Sequence, residues 1–151
     1  MTDERVVFNH VGQCVADLAR SQRFYCELLE FTFDREIVPP DEGSAKLLDL
    51  TPPLAMTAVY LVRDGLVLEL LHFGAADQTQ PYRPRAMNDP GLTHISLSIE
   101  DLDGVLARVP EYGGEVLDDT NIGAAVFVKD PDGQLLELLP VTYRESLPPK
   151  P

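Results

Sequence analysis

The chain has little cysteine, little basic charge and no long apolar run, and each shortage removes a class of function. Of its 151 residues only two are cysteines, Cys14 and Cys26. Two thiols cannot build the disulfide framework of a small secreted domain, and without a Cys-x-x-Cys pair there is no zinc-ribbon or thioredoxin pattern. Lys and Arg together number 12 against 25 Asp and Glu, for a formal net charge of -13. That balance excludes the basic surface that nucleic acid or an anionic membrane recruits. No apolar stretch approaches the about 18–20 residues of a membrane span, and the opening Met1-Thr-Asp-Glu-Arg5 lacks a signal peptide's apolar region. The sequence reads as a cytoplasmic protein without a membrane or nucleic-acid partner. Its length suits one domain (residues 1–151) with a real core.

What is present is one phrase written twice. Asp130-Pro-Asp-Gly133 supplies turn chemistry, and Leu135, Leu136, Leu138 and Leu139 form an aliphatic strand interrupted by Glu137. Upstream, Val59 to Leu71 repeats the pattern: a strand, an Asp64-Gly65 turn, then aliphatics around Glu69. Carboxylates rarely enter such surroundings unless a cation or metal compensates the lost hydration. The repeat extends further. Residues 6–15 and 92–99 read as strands, each carrying one histidine, His10 and His94. Asp17 and Asp101 follow as helix N-caps, and Gly113-Gly114 ends the second helix.

The chain is therefore β-α-β-β-β twice, an α+β protein, with module one about 6–73, a linker about 74–91, module two about 92–140 and a fraying tail 141–151. His10 and Glu69 stand 59 residues apart and His94 and Glu137 only 43. The surplus falls in the Pro-rich stretches around residues 37–43 and 50–54, which read as loops forming a flap or wall.

Alternation along the strands places His94, Ser96 and Ser98 on one face, and His10, Gly12 and Cys14 on another. Two imidazoles and two carboxylates at matching positions, His10, Glu69, His94 and Glu137, make a four-ligand set for a divalent metal ion. Such donors suit zinc, nickel, cobalt, manganese or iron(II), and the two negative charges neutralise the cation. Cys14, Ser96 and Ser98 line the same faces as candidate substrate contacts. His72, three residues after Glu69, falls on the opposite face and is not a ligand. Asp41, Glu42, Arg83 and Arg85 read as solvated loop charges.

With these residues in view, the sequence resembles the vicinal oxygen chelate superfamily, which joins glyoxalases, bleomycin-resistance proteins and dioxygenases. The resemblance is carried by Asn9-His10-Val-Gly12, Asp17-Leu18, Phe24-Tyr25, Leu68-Glu69, Thr93-His94-Ile-Ser96, Asp130-Pro-Asp-Gly133 and Glu137-Leu138. It implies two βαβββ modules forming an eight-stranded, U-shaped open barrel around a metal. The ligand pattern is closest to glyoxalase I and methylmalonyl-CoA epimerase. Glutathione-using glyoxalases carry an Arg four residues after the first ligand; here that position is Cys14, which points away from glutathione conjugates. The epimerases usually have Gln where this chain has Glu69.

The resulting expectation is a metal-dependent lyase or isomerase. It would transfer a proton alpha to a carbonyl of a small acyl or hydroxycarbonyl substrate, with Glu137 as base and Glu69 second. The alternatives are an iron(II) extradiol-type dioxygenase and a bleomycin-resistance-like binding protein. A homodimer is expected, and the site closes either within one chain or across two.

Overall fold

The structure, a computed structural model, describes residues 5–148. Eight strands form two four-stranded sheets of identical topology. Strand β1 (Val11–Cys14) pairs in parallel with β4 (Leu66–Phe73), which continues antiparallel to β3 (Met56–Arg63) and then β2 (Thr32–Ile37). In the second sheet β5 (His94–Ile99) pairs in parallel with β8 (Leu135–Pro140), followed by β7 (Val126–Lys129) and the short edge strand β6 (Glu115–Val116). Two βαβββ modules, as the sequence implies, account for both sheets.

The central strands explain the repeated phrase. In β4, Leu68 and Leu70 are fully buried and Glu69 is half-buried; in β8, Leu136 and Leu138 are fully buried and Glu137 is half-buried. Each Glu therefore lies on the face opposite its flanking leucines. Tight turns aim these strands. Asp64 (φ 54°) and Gly65 (φ 84°) make the two-residue hairpin loop between β3 and β4, a geometry that Asp-Gly adopts at low cost. Gly133 (φ 93°) performs the same service between β7 and β8.

The chain divides into two compact units that do not follow the sequence modules: residues 1–18 with 30–80, and residues 19–29 with 81–151. Most of the first module's helix thus belongs to the second unit. Helix α1 (Leu18–Arg23) starts directly after Asp17 and widens into a π-type turn, Phe24–Leu28, that buries Phe24, Tyr25 and Leu28. Asp130, 3% exposed, is what receives it. Its carboxylate accepts from the Tyr25 hydroxyl at 2.9 Å and from the backbone N–H of Asp132 and Gln134 at 2.9 and 2.8 Å. Arg20 and Ser21 donate to Asp132 at 2.7 and 3.2 Å. Helix α3 (Leu102–Arg108) has the expected cap, Asp101 accepting from Gly104 N–H at 3.0 Å, and closes through a 3-10 turn at Gly113 (φ 80°).

Four local expectations change. Strand β1 begins at Val11, because its ladder with β4 starts at the Val11–Leu68 pair, so residues 6–10 lie outside the ladder and are exposed. The surplus of the first half is not only loop: Asp41–Leu48 form helix α2, whose Ala45 packs with Leu54 and Met56 against Leu71 and Phe73. Asp41 is not a solvated charge. It accepts from the backbone N–H of Leu54 and Ala55, each at 3.0 Å, and ties the insertion to its own return loop. Of the tail, Val141–Ser146 form a 3-10 turn, while residues 149–151 lie outside the described residues. Among the described residues no helix is long and apolar enough to cross a membrane.

The Asp130 network predicts a graded stability series. Removing a buried charge-assisted acceptor costs about 1.5–3 kcal/mol per bond lost. Asp130→Ala should lower the thermal midpoint most, Tyr25→Phe by less, and Asp132→Ala least, since its Arg20 pair is exposed to solvent. Thermal denaturation followed by circular dichroism checks the order; equal midpoints for Asp130→Ala and Asp132→Ala would contradict it.

Candidate metal centre

Register sets the geometry. Gly12 pairs with Glu69 across the parallel β1–β4 ladder, and Ser96 pairs with Glu137 across β5–β8. His10 and His94 each sit two residues earlier, on the same face of their own sheet as the paired Glu. The same offset in both sheets yields two His–Glu pairs. His10 Nε2 is 3.1 Å from Glu69 Oε2, with the side chains 35% and 13% exposed. His94 Nε2 is 3.6 Å from Glu137 Oε2, with exposures of 29% and 28%. Among the described residues no group of three or more His, Cys, Asp or Glu is gathered about one point; the candidates stand as two pairs, one in each unit.

The chemistry of each pair fits a divalent ion. Two donors bound at about 2.0–2.2 Å to one ion, at an angle between square and tetrahedral, stand about 2.8–3.6 Å apart. The observed separations of 3.1 and 3.6 Å fall in that window. Each pair also has outer hydrogen bonds of the kind that orient metal ligands. Thr93 Oγ1 lies 2.9 Å from His94 Nδ1; when Nδ1 carries the proton, Nε2 keeps its lone pair toward Glu137. Ser96 donates to Glu137 Oε2 at 2.8 Å. In the first unit Tyr60 donates to Glu69 Oε1 at 2.6 Å.

Tyr60 and its surroundings are what sequence reasoning missed. Tyr60 pairs with Glu69 across β3–β4, and Phe127 pairs with Glu137 across β7–β8. Both rings meet the local histidine edge-on, at centroid distances of 5.6 and 5.2 Å. The signal was in the repeat: an aromatic one strand ahead of each Glu, at matching positions. The Arg35 guanidinium lies over the Tyr60 ring, 4.3 Å from its centroid. The hydrogen bond to Glu69, then burial, then the Glu69 charge raise the Tyr60 pKa, with Arg35 opposing. The phenol therefore keeps its proton at neutral pH and acts as a donor.

Other sequence candidates fall as follows. Cys14 is exposed at the far end of β1, and Ser98 is half-buried two residues beyond Ser96. His72 pairs with Thr57 and, by alternation, faces away from Glu69. Burial first and Glu27 second raise the Cys26 pKa, which leaves that thiol a poor nucleophile. Arg85 donates to the Leu92 carbonyl at 2.5 Å and so ties down the segment leading to His94.

The sequence matches the Glyoxalase/Bleomycin resistance protein/Dioxygenase superfamily over residues 7–138, and the chain belongs to that family. A probable lactoylglutathione lyase from a Synechocystis species is 27% identical over 137 residues, covering 87% of this chain and 93% of that protein. The uncharacterized protein YaeR of Escherichia coli (strain K12) is 30% identical over 134 residues, covering 86% of this chain and 92% of its own. Among solved structures, the trypanothione-dependent glyoxalase I of Leishmania major superposes with a TM-score of 0.65 at 26% identity. That match covers 91% of this chain and 88% of the Leishmania chain.

Gly12 offers a direct handle on the first pair. A Cβ at this position would stand 3.4 Å from Glu69 Oε2, so a branched side chain must push the carboxylate aside. Gly12→Val should weaken divalent-ion binding by about tenfold or more while leaving the far-ultraviolet spectrum unchanged. Titration calorimetry checks this, and undiminished affinity would remove Glu69 from the ligand set.

Proposed function

We propose that the protein is a metal-dependent lyase or isomerase that moves a proton at the carbon beside a carbonyl, in a small acyl or hydroxycarbonyl substrate. The observation that carries this reading is the His–Glu pair repeated at one register in both sheets. In this reading His10, Glu69, His94 and Glu137 hold zinc, nickel, cobalt, manganese or iron(II). When bound, such an ion draws electron density from a carbonyl oxygen and so eases loss of a proton from the adjacent carbon.

The remaining work falls to the chain's own side chains. Glu137 is the base. Its Oε2 is held by Ser96, its Oε1 has no hydrogen-bond partner among the described residues, and it is the more exposed of the two carboxylates. An oxygen in that position can take a proton and return it to the same or the neighbouring carbon. Glu69 is second, since both its oxygens are engaged. Ser96, Ser98 and Cys14 are the substrate-facing residues in this account. The lyase name of the Synechocystis relative and the glyoxalase I likeness support the reaction class. Cys14, where glutathione-using glyoxalases carry Arg, favours a substrate other than a glutathione adduct. We place the protein as a homodimer; the exposed Val6, Val7, Phe8 and Leu92, just ahead of the two histidines, suit a subunit contact.

The test is deuterium wash-in from D₂O, followed by NMR, on metal-loaded protein. Two substrates are compared: an acyl thioester and the methylglyoxal–glutathione hemithioacetal. Exchange is expected on the thioester, and Glu137→Gln should reduce it by about 10²–10⁴-fold with fold and metal content retained. Exchange on neither substrate sinks the reaction class. Full activity of Glu137→Gln moves the base elsewhere.

A further inference from the structure

We infer that Tyr60 is a positioning residue that fixes Glu69 as a one-oxygen metal ligand, so that the two carboxylates of the repeat are not equivalent. The inference rests on the metal centre proposed above and assigns a role to a residue outside its ligand set.

The asymmetry lies in where each hydroxyl attaches. Tyr60 takes Glu69 Oε1 at 2.6 Å, the length of a charge-assisted bond to a carboxylate, and leaves Oε2 alone to face His10 at 3.1 Å. Ser96 instead takes Glu137 Oε2, the same oxygen that faces His94. Tyr60 therefore braces its carboxylate without competing for the ligating oxygen, whereas Ser96 shares that oxygen.

The brace itself is held. Tyr60 is 8% exposed, and its ring carries the Arg35 guanidinium on its face and meets the His10 ring at its edge, 87° between planes. Arg35 pairs also with Asp34 at 2.6 Å, an exposed contact that adds little hold of its own. On the other side of Glu69 lies Gly12, where a Cβ would come into van der Waals contact with Oε2 at 3.4 Å. The carboxylate is bounded on both sides. In the second unit the residue corresponding to Tyr60 is Phe127, which has no hydroxyl to offer.

The test uses the full chain, stripped of metal and titrated calorimetrically with Zn²⁺ and Mn²⁺. Tyr60→Phe should bind both ions about 10–100-fold more weakly than the wild type, with circular dichroism reporting the metal-free fold. In a Glu69→Ala background, the same substitution should change affinity by less than about twofold, because Tyr60 acts through Glu69. Arg35→Gln, which frees the ring but keeps the hydroxyl, should cost about two- to fivefold, and it carries the test if Tyr60→Phe does not fold. An equal penalty with and without Glu69 overturns the inference in favour of a merely structural tyrosine. So does wild-type affinity in Tyr60→Phe. Failure of the wild type to bind either ion removes the metal centre itself, and this inference with it.

Discussion

A carboxylate set into an aliphatic strand has to be compensated, and much of this fold follows from solving that problem twice. Each time the solution is the same. The Glu turns to the face opposite its flanking leucines, and a histidine at or just before the start of the parallel edge strand approaches one of its oxygens. Parallel pairing is what makes this possible. Residues level with one another across a parallel ladder share a face, so a His two positions ahead of the partner residue is carried onto the Glu. The loops before and after these strands are then constrained to deliver the register, which is why Asp64-Gly65 and Gly133 occupy left-handed backbone.

Within that common plan the two modules have diverged at the neighbouring strand. The first presents a phenol backed by a guanidinium, and the second a phenylalanine. A braced carboxylate makes a dependable ligand, and a looser, more exposed one makes a better base. The proposed reaction, which holds an ion and shuttles a proton, would use one of each.

Much of this was legible in the sequence because the informative signals were repeated. One Glu among leucines is ambiguous, but Glu69 and Glu137, each following an Asp-Gly turn and a His-bearing strand, constrain each other. Asp101 and Gly113 were readable for the same local reasons that caps and left-handed turns always are. Helix α2 was not legible, because Gly43 and the flanking prolines mask an eight-residue segment with few apolar positions. Nor was the early exposed run at Val6–Phe8, whose β-branched residues carry strand propensity but find no ladder partner. The compact grouping of residues 19–29 with the second unit was not legible because Asp130, which accepts from Tyr25, reads locally as only a turn residue. Tyr60 is not legible either, because a tyrosine in a buried strand has the pattern of a packing residue and its bond to Glu69 exists only in the folded chain.

The most direct measurement of the central claim is anomalous diffraction from a crystal grown with Mn²⁺ or Zn²⁺. If the proposed centre is right, metal density lies on His10 Nε2 and Glu69 Oε2 and on His94 Nε2 and Glu137, with Glu69 Oε1 still bound by Tyr60. Peaks confined to a single His–Glu pair, a metal bound elsewhere, or no metal at these side chains would contradict it.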